Sequence, residues 1–217
     1  KRGPQFARRM GFTGRRVIAG MYSCDHELFN NTRDLADEWP RRFIFVGRVN
    51  RNKGVPDIVE AYRRYRDAVS DPWNFKVIGT GPCERMVRET EGMEALDFQQ
   101  PRDCARHMKQ SGAFVLGSHK EPWGVVVHEA ATAGLPVLCT SQCGSSADLV
   151  RDGYNGYTFE AGDVDHLTEL MVRLSSKSDP ELREMGRRSH ELSKQFTPER
   201  WAENLVEGIE SLRNPEE

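Results

Sequence analysis

A chain of 217 residues, 37% hydrophobic and 29% charged, can bury one good core, or one domain with appendages. Its net charge of −2 gives no general pull toward nucleic acid or anionic membranes, and no apolar run approaches the ~18 residues of a membrane-spanning helix. Five cysteines, at 24, 83, 104, 139 and 143, form no Cys-x-x-Cys pair and no Cys/His zinc spacing, and the six histidines are scattered; this fits a reducing cytosol and offers no metal site by spacing alone.

The chain opens Lys1-Arg2-Gly3-Pro4, with neither an initiator Met nor a signal-type apolar stretch, so it is expected to be an excised part of something longer. Lys1, Arg2, Arg8, Arg9, Arg15 and Arg16 stand there without an acid, the pattern of a solvated basic face. Phe6 to Gly14 and then Arg16 to Tyr22 suggest a helix end, a turn and a short strand. Asn30 to Arg42 is polar, contains Pro40 and reads as a linker. Phe43-Ile44-Phe45-Val46-Gly47 is continuously apolar, as a strand buried on both faces of a parallel sheet must be. The loop Arg48 to Gly54 leads to a helix with Val55, Ile58, Val59, Tyr62 and Val69 on one face. Strand, glycine-flanked loop and helix is where an open α/β sheet binds phosphates, although a solvated basic loop fits Arg48 and Lys53 at least as well.

Phe75 to Ile78 is a further strand, closed by Gly79-Thr80-Gly81-Pro82. A Gly-x-Gly without the third glycine counts against a nicotinamide or flavin site. Ala95 to Gln100 reads as a short strand and loop, Arg102 to Gln110 as a helix burying Ala105 and Met108, and Ala113 to Leu116 as a strand. The stretch from Ser118 through Glu121, Pro122-Trp123-Gly124 and Val125-Val126-Val127 to Glu129 follows. Val125 to Val127 alone could be a strand, but the Ala-rich continuation and a stop at Gly134 favour a helix, with Pro136 to Cys139 opening the next strand. Glu129 is then anomalous, because an ionised carboxylate in an element apolar almost all round is costly unless something hydrogen-bonds it. If the helix begins near Trp123, the amides of Trp123, Gly124 and Val125 are free to face an anion. The same residues also fit Glu121 on a surface loop and Glu129 paired with a basic side chain inside the fold.

Asp163-Val164-Asp165 resembles a metal-binding Asp-x-Asp string, but it precedes Leu167, Leu170, Met171 and Leu174 at helical spacing. Asp163 is better read as an N-cap and Asp165 as an acid favoured by the helix dipole, so no metal is implied. Pro180 to Lys194 and Pro198 to Leu212 are two closing helices. Trp201, Leu205, Ile209 and Leu212 form a stripe on the last, which is expected to pack on this domain, on residues 1–30 or on another chain.

Ser118, then Glu121, seven residues and Glu129, with Pro-Trp-Gly inside, resembles the donor-site signature of the retaining glycosyltransferases of family 4. The likeness extends from Phe43 to about Leu174, several separated motifs recurring in order. The resemblance implies that Glu121 bonds the donor sugar's hydroxyls and Glu129 the ribose. It implies that Arg48, after Gly47, and Lys53, before Gly54, grip the diphosphate, where negative charge grows as the glycosidic bond breaks. It also implies that Gly79 and Gly81 let backbone approach the donor, that Phe98 and Gln99 lie in the segment reading the base, and that Trp123, Gly124 and Val125 line the donor site. Asp25 and Phe29 match the link that closes the first, acceptor-side domain. Leu149 to Gly156 matches an Asp-Gly-x-Asn-Gly turn. Two departures stand before it: a paired glycine becomes Gly144-Ser145, and the usual Glu becomes Asp148.

The resemblance implies an α/β fold, a doubly wound parallel sheet of about six strands, Rossmann-like: the nucleotide-binding half of a two-domain GT-B enzyme. The boundaries are a residual segment of the N-terminal domain at 1–30, a linker at 31–42, the nucleotide-sugar domain at 43–176 and C-terminal helices at 177–217. Expected is transfer of a sugar from a nucleoside diphosphate sugar, UDP-sugar preferred, with retention and without cofactor or metal. The acceptor is a saccharide or lipid-linked molecule reached through the absent first domain, in the cytoplasm or at a membrane periphery, with no nucleic acid as partner. A non-catalytic nucleotide-sugar-binding module and a nucleotide-sugar epimerase of the same architecture are the alternatives.

Overall fold

The computed structural model describes residues 2–12, 17, 22–30 and 38–213. Six strands form one sheet: β1 (Arg42–Val46), β2 (Asn74–Ile78), β3 (Met93–Leu96), β4 (Ala113–Leu116), β5 (Val137–Thr140) and β6 (Gly156–Phe159). All neighbours are parallel, in the order β3-β2-β1-β4-β5-β6. Parallel strands covered on both faces need side chains that tolerate burial at every position, and Phe43, Ile44 and Phe45, like Ala113 to Leu116, are consecutively buried. The order reverses between β1 and β4, which opens a crevice beyond their carboxyl ends.

The helices are α1 (Arg2–Arg9), α2 (His26–Phe29), α3 (Val55–Ala68), α4 (Glu84–Arg88), α5 (Pro101–Lys109), α6 (Val125–Thr132), α7 (Ser146–Leu149), α8 (Val164–Ser175), α9 (Asp179–Ser193) and α10 (Pro198–Arg213). α3 packs against α4 and α8; α6 packs against α2, α7 and α9. The expected face of α3 is inside, with Val55, Ile58, Val59 and Tyr62 joined there by Tyr65. Tyr62 and Tyr65 keep their hydroxyls bonded at the Trp73 backbone, to its carbonyl at 2.9 Å and from its amide at 2.8 Å, so the rings fill the core without an orphaned polar atom. Asp163 caps α8 by accepting from the His166 amide at 3.0 Å, as its place before an apolar periodic run predicts. Ala105 and Met108 of α5 are buried, and Gly134, at φ +69°, follows the end of α6. No helix among the described residues is long and apolar enough to cross a membrane.

Three expectations reach residues that lie outside those described. Of the short strand sought at 16–22, Val17 and Tyr22 lie outside any strand and the other residues lie outside those described. Residues 31–37 of the linker are likewise outside; its end is anchored, with Trp39 only 4% exposed and its Nε1 donating to the Gly112 carbonyl at 3.0 Å, and Arg42 already belongs to β1. On α10, Trp201 is 38% and Ile209 46% exposed, Leu205 is half-buried, and the Leu212 side chain lies outside those described. An amphipathic stripe requires a partner without saying that the partner lies in the same chain.

Candidate functional site

The loops after β1 and β4 face each other at the point where strand order reverses. After β1, Asn50 Oδ1 accepts from the Lys53 amide at 3.0 Å and closes a single 3-10 turn over Arg51–Lys53. That turn directs Lys53 toward the β4 loop, where its ammonium pairs with the Glu121 carboxylate. The two loops are tied a second time, the His119 amide donating to the Asn52 carbonyl at 2.9 Å. Arg48, one residue beyond Gly47, is exposed and holds no ion pair among the described residues.

The β4 loop is held by the loop after β5. Glu121 bridges to Cys143, its carbonyl accepts from the Gly144 amide at 2.9 Å, and the Trp123 carbonyl accepts from Ser145 at 2.9 Å. Backbones this close leave no room for side chains. A Cβ on Gly144 would lie 2.0 Å from the Pro122 carbonyl oxygen; one on Gly124, where φ is +86°, would lie 2.6 Å from Cys143 Sγ and 3.0 Å from Glu121 Cγ. This is a steric reason for glycine at 144 where its neighbour has become Ser145.

The chain then enters α6 with Gly124 as its N-cap. The Val127 amide turns back to the Gly124 carbonyl at 2.9 Å, so the amides of Val125 and Val126 stand ahead of the helical ladder, and α6 begins two residues later than a start at Trp123 implies. Glu129 lies farther along α6, half-buried, and among the described residues its carboxylate has neither a hydrogen-bond partner nor an ion pair. The pairing with an internal base left open by the sequence is therefore not found there. Burial alone pushes its carboxyl up to about 7.

The remaining positions spread along the same rim. A Cβ on Gly79 would lie 2.0 Å from the Gly47 carbonyl oxygen and one on Gly81 would lie 2.4 Å from the Val49 carbonyl oxygen. These glycines seat the β2 turn on the β1 loop, and that packing is sufficient to account for them. Phe98, 69% exposed, and Gln99, half-buried, follow the carboxyl end of β3. The Trp123 ring does not stand free in the crevice: it stacks on Tyr22 with centroids 4.9 Å apart and meets Phe196 edge-on at 5.5 Å. Its ring braces the loop, and its buried Nε1 has no hydrogen-bond partner among the described residues.

Two features escaped the sequence reading. His119 Nε2 lies 2.7 Å from Asp57 at a cavity of about 400 Å³ lined also by Arg51, Asn52 and Pro56, beside the Lys53 turn. Cys24, His26 and His128 also come together where α2 meets α6. Neither has a signal at sequence level, since the partners are 62 positions apart in the first case and His26 and His128 are 102 apart in the second.

Residues 30–191 match the family model described as glycosyl transferases group 1. The chain is 30% identical over 189 residues to spore coat protein SA of Bacillus subtilis, covering 78% of this chain and 48% of that protein. It is 29% identical over 177 residues to a glycosyltransferase of Methanocaldococcus jannaschii, covering 78% and 46%. It thus spans about half the length of these curated relatives. Among solved structures, S. aureus TarM in complex with fondaparinux, α-GlcNAc-glycerol and UDP matches with a TM-score of 0.79 at 14% identity, over 96% of this chain and 42% of that one. The apo lipopolysaccharide outer core galactosyltransferase WaaB matches at 0.76 with 20% identity, over 96% and 59%. These likenesses show a shared fold, the Rossmann-like half of a GT-B architecture.

Proposed function

The chain belongs to the glycosyl transferases group 1 family, and on that premise we propose that it supplies the nucleotide-sugar site of a retaining glycosyltransferase. One observation carries this reading. A half-buried carboxylate, Glu129, stands on an apolar helix behind the switch-point crevice with no side-chain partner among the described residues. Such a group is costly to bury and is stabilised by a ligand that brings hydrogen-bond donors, as the two hydroxyls of a ribose do.

The other residues take roles that follow from charge and place. Arg48 and Lys53 hold the diphosphate and offset the negative charge that grows on it as the bond to the sugar breaks. Glu121, once Lys53 turns to phosphate, accepts from the sugar's hydroxyls and fixes its orientation. The Val125 and Val126 amides, with the helix dipole behind them, add donors toward the same anion. No resident metal is needed for this set, because cationic side chains and amides stand at the leaving group. UDP is the preferred nucleotide, supported by its presence in the complexes of TarM and of the pneumococcal O-GlcNAc transferase GtfA. The acceptor, a saccharide or a lipid-linked one, is assigned to a further domain of the parent protein. Free thiols at all five cysteines suit a reducing, cytoplasmic setting.

Thermal unfolding with UDP, GDP and ADP tests the reading. A ligand bound only by the native state stabilises it by about 2.7 kcal/mol at a hundredfold excess over Kd. One nucleotide is expected to raise the midpoint, and Glu129→Gln to remove most of that rise. No rise with any of the three contradicts the assignment.

A further inference from the structure

We propose that Cys24, His26 and His128 form a binding site for a divalent transition metal of the zinc class, seated where α2 meets α6. One donor atom from each of the three lies within 4.8 Å of the others. The Nε2 atoms of His26 and His128 are 3.1 Å apart on rings inclined at 73°. Two imidazole nitrogens on one tetrahedral zinc, each at about 2.05 Å, are about 3.3 Å apart, so the pair already stands near ligand spacing. Thiolate and imidazole are the donors such an ion selects.

A backbone carbonyl and a hydroxyl stand beside these donors. The Ser193 carbonyl is 3.2 Å from His128 Nε2, and Thr132 Oγ1 lies 3.3 Å from Cys24 Sγ. His128 is fully buried, yet its Nδ1 has no hydrogen-bond partner. A neutral imidazole has one N–H and one lone pair, and either tautomer leaves a ring nitrogen of His128 unsatisfied by the protein.

The protonation states agree with the geometry. Burial pushes His128 down to about 4 and also lowers His26, so both rings offer lone pairs near neutral pH. Burial pushes the Cys24 thiol up to about 12. Its proton leaves to solvent as the sulfur–metal bond forms, with no change of oxidation state. Three protein donors leave one position of a tetrahedral ion for water or an added ligand. Such an ion ties the segment around α2 to the helix that carries Glu129.

The test is a cobalt(II) titration of the full chain after chelator treatment, followed by zinc(II) competition. A near-ultraviolet thiolate-to-cobalt band that saturates at one equivalent and is displaced by zinc is the result expected. The band should disappear in Cys24→Ser, survive in Cys104→Ser, and require at least tenfold more cobalt in His26→Gln. A band that survives Cys24→Ser, or no band at all, overturns the proposal and leaves a plain imidazole–imidazole hydrogen bond. If Cys24→Ser does not fold, half-buried His26 decides: unchanged cobalt affinity in His26→Gln overturns it equally.

Discussion

The ammonium of Lys53 lies against the carboxylate of Glu121, 68 positions further along the chain, across the gap between the loops that follow β1 and β4. Both side chains are mostly shielded, 23% and 12% exposed, so each is the other's principal compensation for lost water. A nucleoside diphosphate sugar brings phosphates for the lysine and hydroxyls for the carboxylate. On the reading proposed above, these two charges exchange partners when such a donor binds.

That exchange predicts unequal effects at the two ends of the pair. Lys53→Ala should weaken UDP and UDP-sugar alike by about 1.5–3 kcal/mol, tenfold to a hundredfold. Glu121→Gln should weaken UDP-sugar while leaving UDP unchanged or tighter, since Lys53 is released. Equal losses for both ligands in Glu121→Gln contradict the assignment of this carboxylate to the sugar.

Glu129 titrates at about 7 in the fold against an ordinary 4.5, because burial disfavours the charged form. The folded state holds this proton more tightly, so the neutral carboxyl's contribution is fully present below pH 4.5 and is lost as pH rises through about 7. Urea unfolding at pH 4.5 and pH 8 should show wild type losing, relative to Glu129→Gln, stability on the order of 3 kcal/mol at most. A difference between the two proteins that does not vary with pH contradicts burial as the cause. Binding of a sugar nucleotide should strengthen across the same range, since the ionised carboxylate is the better ribose acceptor.

Gly124→Ala and Gly153→Ala separate backbone strain from crowding. Both positions have φ in the left-handed region, +86° and +71°, which costs an L residue about 1–2 kcal/mol. At Gly153 an added Cβ meets nothing within 4 Å, whereas at Gly124 it presses on Cys143 Sγ and Glu121 Cγ. Denaturant melts should show the larger loss for Gly124→Ala, and calorimetry the loss of UDP-sugar binding in that variant alone.

Asp163→Ala should cost about 1 kcal/mol, the worth of an N-cap. Asp165→Ala removes an exposed pair with Arg64 and should cost less than about 1 kcal/mol. Neither should alter sugar-nucleotide affinity, with magnesium or without it. A magnesium-dependent loss in either variant would restore the metal reading of this Asp-x-Asp string.

Much of the sheet could be read from local pattern, because a strand buried on both faces must be apolar throughout, as Phe43 to Phe45 and Ala113 to Leu116 are. Helix ends were legible for a similar reason: Gly134 and Asp163 act through their own backbone neighbourhood. Glu129 stood out because all its neighbours are apolar. What distant segments do to one another was not legible. The Lys53–Glu121 pair needs two crossovers to form, and nothing local to Trp123 shows that its ring meets Tyr22 and Phe196. Helical spacing on α10 likewise could not show that Ile209 would be left 46% exposed.

The most direct measurement is calorimetric titration of the chain with UDP, GDP and ADP and with their sugar conjugates, repeated on Arg48→Ala and Glu129→Ala. Saturable binding of one nucleotide, weakened about tenfold to a hundredfold in each variant, is the predicted result. Binding that both variants retain, or no binding of any nucleotide at millimolar concentration, contradicts a nucleotide-sugar site at the β1–β4 switch point.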